Sequence, residues 1–310
     1  MHGGGGVSSA AVRTRTALRS RRSLLPLRRL AVLLACTALT AACGSSTHSS
    51  SGSTTSTSTP AAQSATTQTG VATAPTTIEG SEIQALPPVS APTGPPPTPA
   101  HAATVDRAFL QTVFNDAQRM WSHDFAAAGI AYVPAQLVLF ASAVHSGCGP
   151  QQDVGPFYCP ANRTVYLDLS FFDLLARQAG VGGFAQAYIV GHEIGHHLQH
   201  LLGIDVRVAA ANHVDPSGEN ARSVRVELQA DCLSGVWAHS VYRRGELTTA
   251  DINDALKAAA LVGDDVQRRA AGKPVDPGLF THGSAAQRQQ WLAAGFDSGK
   301  PESCDTLTSP

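Results

Sequence analysis

The chain has 310 residues, with 22 basic and 23 acidic side chains and therefore a formal net charge of −1. Seven of the basic residues are arginines before Leu30, where no acidic residue occurs, so the rest of the chain keeps 15 basic side chains against all 23 acidic ones. This acidic balance argues against nucleic acid or an anionic membrane surface as the partner. The length allows one or two domains.

The first 42 residues have the composition of an export signal. The arginine-rich start is followed by thirteen apolar or small residues, 30–42, which are too few to span a membrane as a permanent helix. Small residues precede Cys43 and Gly-Ser-Ser follows it, a pattern that resembles a bacterial lipobox with Cys43 as the lipidated first residue. Simple cleavage after Ala42 would give a soluble secreted protein instead. We therefore expect an exported protein, either secreted or held at the extracytoplasmic face of the membrane by a lipid.

A long segment of low complexity follows the signal. Residues 43–100 are mostly Ser, Thr, Ala and Pro, and no charged side chain occurs between Gly44 and Glu79. Such a segment cannot bury enough apolar surface to offset the entropy lost on ordering. We predict a disordered tether over 43–100 and a single folded domain over 101–310, which is long enough for one substantial core.

The first half of the domain combines helical and strand patterns. Apolar residues at a helical spacing from Val105 to Trp121 predict an amphipathic helix. The β-rich runs 137–140 and 164–169 predict strands, and a helix begins at Ser170 and stops at Gly180. The strands precede the next helix in the chain, so we expect a small antiparallel or mixed sheet beside that helix. The predicted fold class is α+β and predominantly helical.

A metal-binding pattern lies on the next predicted helix, 184–202, which has a 3.6-residue apolar period and Gly203 as its stop signal. His192 and His196 are one turn apart on the same side, so both can reach one metal ion. Imidazole suits Zn²⁺, and a catalytic zinc site keeps three protein ligands and an open position for water, whose pKa falls to about 7. Glu193 lies close enough to that position to take the water's proton.

A third ligand distinguishes a zinc site from a solvated polar face. His200 lies eight residues after His192, about 12 Å along the helix axis, and is too distant to share an ion. The predicted helix 223–242 offers Glu227 and Asp231, which are four residues apart and share a face with small residues. We predict that Glu227 binds the metal and that Asp231 accepts a hydrogen bond from a ligand imidazole. The alternative is a solvated acidic stripe.

The two helices together resemble a bacterial family described as "putative neutral zinc metallopeptidases". The sequences H-E-I-G-H-H-L-Q and E-L-Q-A-D-C carry the resemblance. Further blocks follow in the family's order, at 155–160, 165–169, 263–265, 281–283, 287–288 and 304–306. The resemblance therefore extends over roughly the whole predicted domain after Cys148.

This resemblance implies a zincin-like fold, a peptide or protein substrate and one zinc ion per chain. It places the ion at His192, His196 and Glu227, with Glu193 as the general base. In zincins one edge strand of the sheet holds the extended substrate by backbone pairing. By its position, 165–169 is our candidate for that strand, and a plain buried strand is the alternative.

The end of the chain supplies one more candidate site residue. Thr248 and Ser284 each precede an acidic or amide residue by three positions, so both predict capped helix starts. His282 comes just before the second of these caps. It could donate a hydrogen bond to the oxyanion of the transition state or support the site from further out. A structural surface histidine is the alternative, and Arg288 is a weaker candidate for the same role.

Apart from Cys36 and Cys43, the chain has four cysteines: Cys148, Cys159, Cys232 and Cys304. An even number in an exported chain predicts disulfides, and four cysteines allow three pairings. We favour Cys148 with Cys159, which are close in sequence, and this choice leaves Cys232 with Cys304. None has the C-x-x-C spacing of a zinc site, so we do not expect them to bind the metal.

We therefore predict an exported zinc-dependent endopeptidase. A rival from another class is a non-catalytic envelope interaction protein whose fold is stabilised by zinc. It would not need an intact Glu193, and its metal site would normally close the fourth position with another Cys or His. A zinc-dependent hydrolase of some bond other than a peptide is compatible with the same spacing.

Overall fold

A computed structural model describes residues 82–88, 106–179 and 183–308 of the chain. The predicted export signal, Cys43 and most of the predicted tether lie outside these residues. The described helices are α1 (Arg107–Ala127), α2 (Leu169–Ala179), α3 (Gly183–Leu201), α4 (Ile204–Val214), α5 (Glu219–Arg243), α6 (Thr249–Leu261), α7 (Asp264–Ala270) and α8 (Ala285–Ser298). The described strands are β1 (Gln136–Phe140), β2 (Ala143–Ser146), β3 (Gly149–Gln152), β4 (Phe157–Cys159) and β5 (Thr164–Asp168).

The predominantly helical α+β class is confirmed, and α3 lies at its centre. This helix packs against α1, α5, α6 and the strands β4 and β5. The prediction of an amphipathic helix holds for its apolar face, but its polar face is also buried, including Glu193, His197 and Gln199. Polar side chains inside a protein need partners. The polar face of α3 therefore faces other polar groups of the protein instead of solvent.

A close approach between α3 and α5 explains two glycines on the apolar face of α3. A Cβ atom at Gly195 would lie 2.9 Å from the Cα of Ala230, and one at Gly191 would lie 2.5 Å from the Oγ of Ser234. Glycine costs about 1 kcal/mol relative to alanine within a helix, and here it lets the two backbones approach. The acidic side chains of α5 thereby come within reach of the imidazoles of α3.

The small sheet lies beside α3, and its strand order corrects one prediction. The order is β1-β5-β4, with β1 parallel and β4 antiparallel to β5, while β2 and β3 form a separate antiparallel pair. The predicted substrate-binding strand 165–169 corresponds to β5, which is paired on both sides and completely buried. That prediction is wrong because β5 has no free edge. The strand at the edge of the sheet next to α3 is β4.

The folded unit begins earlier in the chain than the composition predicts. Residues Glu82–Ala85 form a short 3₁₀ helix, and Ile83 and Leu86 are buried in the main hydrophobic core. The Gln84 side chain donates a hydrogen bond to Asp305 Oδ2 over 2.6 Å. The predicted disorder is therefore wrong for 82–88, since two apolar side chains are enough to attach this segment to the C-terminal end of the domain.

Both favoured disulfides are present. Cys148 pairs with Cys159 and joins the turn between β2 and β3 to the end of β4. Cys232 pairs with Cys304 and fastens the C-terminal segment to α5. Among the described residues, no helix combines the length and apolar character needed to cross a membrane.

Candidate metal centre

Three predicted ligands meet between α3 and α5. His192 and His196 extend from α3 and Glu227 from α5, and one ligand atom from each lies within 4.8 Å of the other two. The Nε2 atoms of the two histidines are 3.2 Å apart. Glu227 Oε2 lies 3.1 Å from His192 Nε2, and the other oxygen, Oε1, lies 3.5 Å from His196 Nε2. The structure thus brings together the two histidines of one helix and the carboxylate of another.

These separations suit a tetrahedral zinc ion. Two ligand atoms that each lie about 2.1 Å from such an ion are roughly 3.4 Å from one another. The two Nε2 atoms are 3.2 Å apart, and each lies 3.1 or 3.5 Å from one of the two Glu227 oxygens, so these separations fall around this value. Two imidazoles and one carboxylate are also a donor set that zinc accepts with a fourth position left for water. The residues present therefore fit the ion.

Hydrogen bonds on the far side of each ring direct the lone pairs toward this point. The Nδ1 atom of His192 lies 2.9 Å from Asp231 Oδ1, and the Nδ1 atom of His196 lies 2.9 Å from Gln199 Oε1. An acceptor at Nδ1 requires a proton there, so in the neutral ring Nε2 is the unprotonated nitrogen that can bind a metal ion. Both Nε2 lone pairs then face the Glu227 carboxylate. Three acceptors this close together are stabilised by a positive charge between them, which a proton or a metal ion can supply.

Asp231 is held in place by a buried network. Its side chain is 0% exposed and accepts hydrogen bonds from Tyr188 Oη at 2.6 Å and from Arg288 Nε and Nη2, both at 2.8 Å. The predicted alternative of a solvated acidic stripe is excluded by this burial. Arg288 is itself buried, and its fork of donors is engaged with Asp231. It therefore supports the orientation of His192.

The electrostatics of the site favour a positive charge. Burial alone would lower the pKa of His192, but the carboxylates of Asp231 and Glu227 outweigh burial and raise it to about 10. Burial would raise the pKa of Glu227, but the nearby histidines hold it well below its usual range. Arg288 and His192 likewise overcome burial and lower the pKa of Asp231. The carboxylates that stabilise a proton here would stabilise a divalent cation in the same way.

Glu193 lines a cavity of about 340 Å³ that the three ligands also line. Glu193 does not belong to the cluster of His192, His196 and Glu227, although it precedes His196 by only three residues. Burial raises the pKa of Glu193, and this effect exceeds the opposite effect of the two histidines. Phe157 of β4 and Ile189 of α3 give the same cavity an apolar wall. The cavity can therefore hold a substrate next to a buried carboxyl group.

His282 also lines the cavity and is buried, so the alternative of a surface histidine is wrong. Asp264 fixes its position: Oδ2 accepts the backbone N–H groups of Thr281, His282 and Gly283 at 2.8, 2.7 and 3.0 Å. The other oxygen, Oδ1, lies 3.4 Å from His282 Nδ1. Burial would raise the pKa of Asp264, but its contacts with His282 lower it.

Sequence reasoning missed several of these supporting residues. Asp264 enters the sequence analysis only within the block 263–265, whereas in the structure it begins α7 and organises the loop that holds His282. Tyr188 and Gln199 were not selected either, although one lies four residues before His192 and the other three residues after His196. Positions three or four apart share a helix face. Counting one turn from each ligand would have found both.

Several known proteins are similar to this chain. A protein of Escherichia coli (strain K12), uncharacterized protein YpfJ, is 44% identical over 203 residues, which cover 64% of this chain and 70% of that protein. An uncharacterized protein of Mycobacterium bovis is 44% identical over 192 residues, or 57% of this chain and 64% of that protein. No solved structure gave a significant match. The family described as "Putative neutral zinc metallopeptidase" matches residues 44–307, and the chain belongs to this family.

Proposed function

We propose that this chain is a zinc-dependent endopeptidase in which His192, His196 and Glu227 hold the ion and Glu193 is the general base. The observation that carries the proposal is the cluster of two imidazole nitrogens and one carboxylate beside the cavity, with separations that suit a tetrahedral ion. The family description supports zinc and peptidase chemistry. The assignment of roles to individual residues is our own.

Zinc bound at this site would polarise the scissile carbonyl and make water acidic enough to be deprotonated near neutral pH. Glu193 takes a proton from the attacking water while the water oxygen bonds to the carbonyl carbon. Glu193 then returns that proton to the nitrogen of the leaving amine as the C–N bond breaks. Burial raises the pKa of this carboxyl group toward the range in which it can both accept and release a proton.

His282 suits the role of a donor to the oxyanion that forms on the carbonyl. The cavity contains both His282 and Glu193, so one substrate could meet both residues. Asp264 limits the movement of His282 through its contacts with both the backbone and the ring. A donor that is held in place before the reaction stabilises developing charge without reorganising.

The position of β4 favours a peptide substrate. This strand lies at the edge of the sheet, and its residues Phe157 and Tyr158 line the cavity. An extended peptide can add to an exposed edge through backbone hydrogen bonds. His197 supports β4 from α3, because it lies 3.0 Å from the Tyr158 hydroxyl and 2.8 Å from the carbonyl of Val133. A peptide bound along β4 would therefore pass beside the metal ligands.

We also propose that the protein is exported and carries a lipid on Cys43. The export pattern of 1–42 supports this location, as do the two disulfides, which persist in oxidising compartments. Mass spectrometry of the mature protein tests the anchor. We expect a chain that begins at Cys43 with added acyl mass. An unmodified mature chain would show simple cleavage and secretion instead.

Replacement of Glu193 by alanine tests the proposed function. We expect Glu193→Ala to retain zinc and to lose hydrolysis of an unfolded protein by at least about 100-fold, since it removes the general base. Glu302→Ala, at a side chain that is 54% exposed, serves as the control and should be as active as the parent. Undiminished hydrolysis by Glu193→Ala would show that another group is the base. A parent that binds zinc but cleaves nothing in a mixed peptide library would favour the non-catalytic rival.

A further inference from the structure

The second ligand, His196, is supported by a chain of two buried amides. Gln199 is 2% exposed, and its Nε2 donates to the backbone carbonyl of Val226 over 2.7 Å and to Gln229 Oε1 over 3.1 Å. A backbone carbonyl can only accept, so the amide nitrogen of Gln199 must face Val226. Its oxygen must then face the imidazole, where it lies 2.9 Å from His196 Nδ1.

The next amide is fixed by the same logic. Gln229 is 0% exposed, and its Nε2 donates to the backbone carbonyl of Cys304 over 3.1 Å. The oxygen of Gln229 is therefore the acceptor for Gln199. The two backbone carbonyls thus determine which atom of each amide donates and which accepts. His196 Nδ1 can then act only as a donor.

We propose that Gln199 and Gln229 are positioning residues that hold His196 in the tautomer whose Nε2 lone pair faces the metal centre. The inference rests on the proposed function for the identity of the ion as zinc. The two histidines are supported differently, because His192 donates to the charged Asp231 whereas His196 donates to a neutral amide. The amide chain orients a ligand without adding negative charge to a site that already contains several carboxylates.

The outer end of the amide chain is anchored to the helix that carries the third ligand. Cys304 is disulfide-bonded to Cys232 of α5, three residues after Gln229. Two residues beyond Cys304, the Thr306 hydroxyl donates to the carbonyl of Arg225, also in α5, over 2.6 Å. The C-terminal segment is thus attached to α5 on both sides of Gln229, at Arg225 and at Cys232. The carbonyl that fixes the amide chain cannot move independently of α5.

Matched leucine variants test the inference. Gln199→Leu removes the acceptor for His196 Nδ1, and Gln229→Leu removes the second amide. The control is Gln186→Leu, because Gln186 lies on the same helix, is 3% exposed and has a side-chain oxygen without a hydrogen-bond partner in the described part of the chain. Two quantities are measured for each full-length protein. They are the zinc dissociation constant by competition with a chelator, and the imidazole ¹⁵N shifts of metal-free protein at alkaline pH.

We expect Gln199→Leu to weaken zinc binding by about 10- to 100-fold and to abolish the Nδ1–H signature of His196, as loss of a ligand's supporting partner does elsewhere. Gln229→Leu should act in the same direction by less than about tenfold, since Gln199 keeps its bond to Val226. The control should stay within about twofold of the parent. Gln199→Glu should retain the Nδ1–H tautomer, because a carboxylate also accepts that proton.

Each outcome separates this inference from the proposed function. If Gln199→Leu binds zinc like the parent and keeps the same tautomer, the amide chain does not position His196. If Gln199→Leu does not fold, the comparison uses Gln199→Glu and the control Gln186→Leu. Loss of the Nδ1–H tautomer of His196 to the same extent in both would also overturn the inference. A parent that binds no zinc would contradict the proposed function alone, since the ¹⁵N shifts of the metal-free protein still report whether Gln199 sets the tautomer.

Discussion

Replacement of Asp231 by asparagine should destabilise the protein strongly, although the two side chains have the same shape. The asparagine oxygen can take the place of Oδ1 and keep the bonds from His192, Tyr188 and Arg288 Nη2. Its amide nitrogen then replaces Oδ2 and meets Arg288 Nε, a second donor, at 2.8 Å. One charge-assisted hydrogen bond is lost, and a buried guanidinium loses its closest counter-charge.

Removal of one partner of a buried ion pair leaves the other charge uncompensated and lowers the free energy of unfolding by about 3–5 kcal/mol. Glu227 remains 4.0 Å from Arg288 Nη2 and offers partial compensation, so we expect the lower end, about 3 kcal/mol. That is a large part of the total of about 5–15 kcal/mol for a typical domain. Urea unfolding in the presence of a chelator measures the effect without any contribution from metal.

The matched control for this measurement is Asp173→Asn. Asp173 and Arg177 form an ion pair at 4.0 Å, but their side chains are 46% and 67% exposed. Solvent screens such pairs, and we expect a change below about 0.5 kcal/mol. If Asp231→Asn costs no more than this control, the buried network behind His192 does not contribute to stability as argued here.

Three further predictions concern other parts of the molecule. Asp264→Ala should lower kcat/KM by about 10- to 100-fold with zinc content unchanged, because His282 loses its support; an unchanged kcat/KM would contradict that role. Burial raises the pKa of Asp124 to about 6. The folded state therefore binds this proton more tightly than the unfolded chain, so the contribution of Asp124 to the free energy of unfolding should fall by up to about 3 kcal/mol as pH rises from about 4 to about 6. Asp124→Asn should lose this component, and identical pH profiles for the two proteins would contradict it. A chain that starts at residue 101 lacks the buried Ile83 and Leu86. Its free energy of unfolding should be about 3 kcal/mol lower than that of a chain that starts at residue 80. Equal urea midpoints would show that this segment does not contribute.

The cluster of proposed metal ligands was predictable because its signals are local. His192 and His196 lie one turn apart in one helix, and Glu227 with Asp231 shows the same spacing in another. The helix caps at Thr248 and Ser284 follow from three-residue spacings, and both capping boxes are present. Patterns contained within one turn of helix depend little on the rest of the fold.

The errors concern features that depend on distant parts of the chain. Whether β5 has a free edge is decided by its pairing with β1 and β4, and β4 is only three residues long, too short for a periodic pattern. The docking of 82–88 depends on Ile83 and Leu86, two residues that the average composition of the tether conceals. The support of His282 by Asp264 likewise joins residues 18 apart through a loop.

The zinc content of Glu227→Ala tests the central claim most directly. Parent and variant are saturated with zinc, dialysed together and analysed for metal per chain. We expect one zinc ion in the parent and none in the variant, because two histidines without the carboxylate cannot complete the site. A variant that still holds one zinc ion per chain would remove Glu227 from the site and contradict the account.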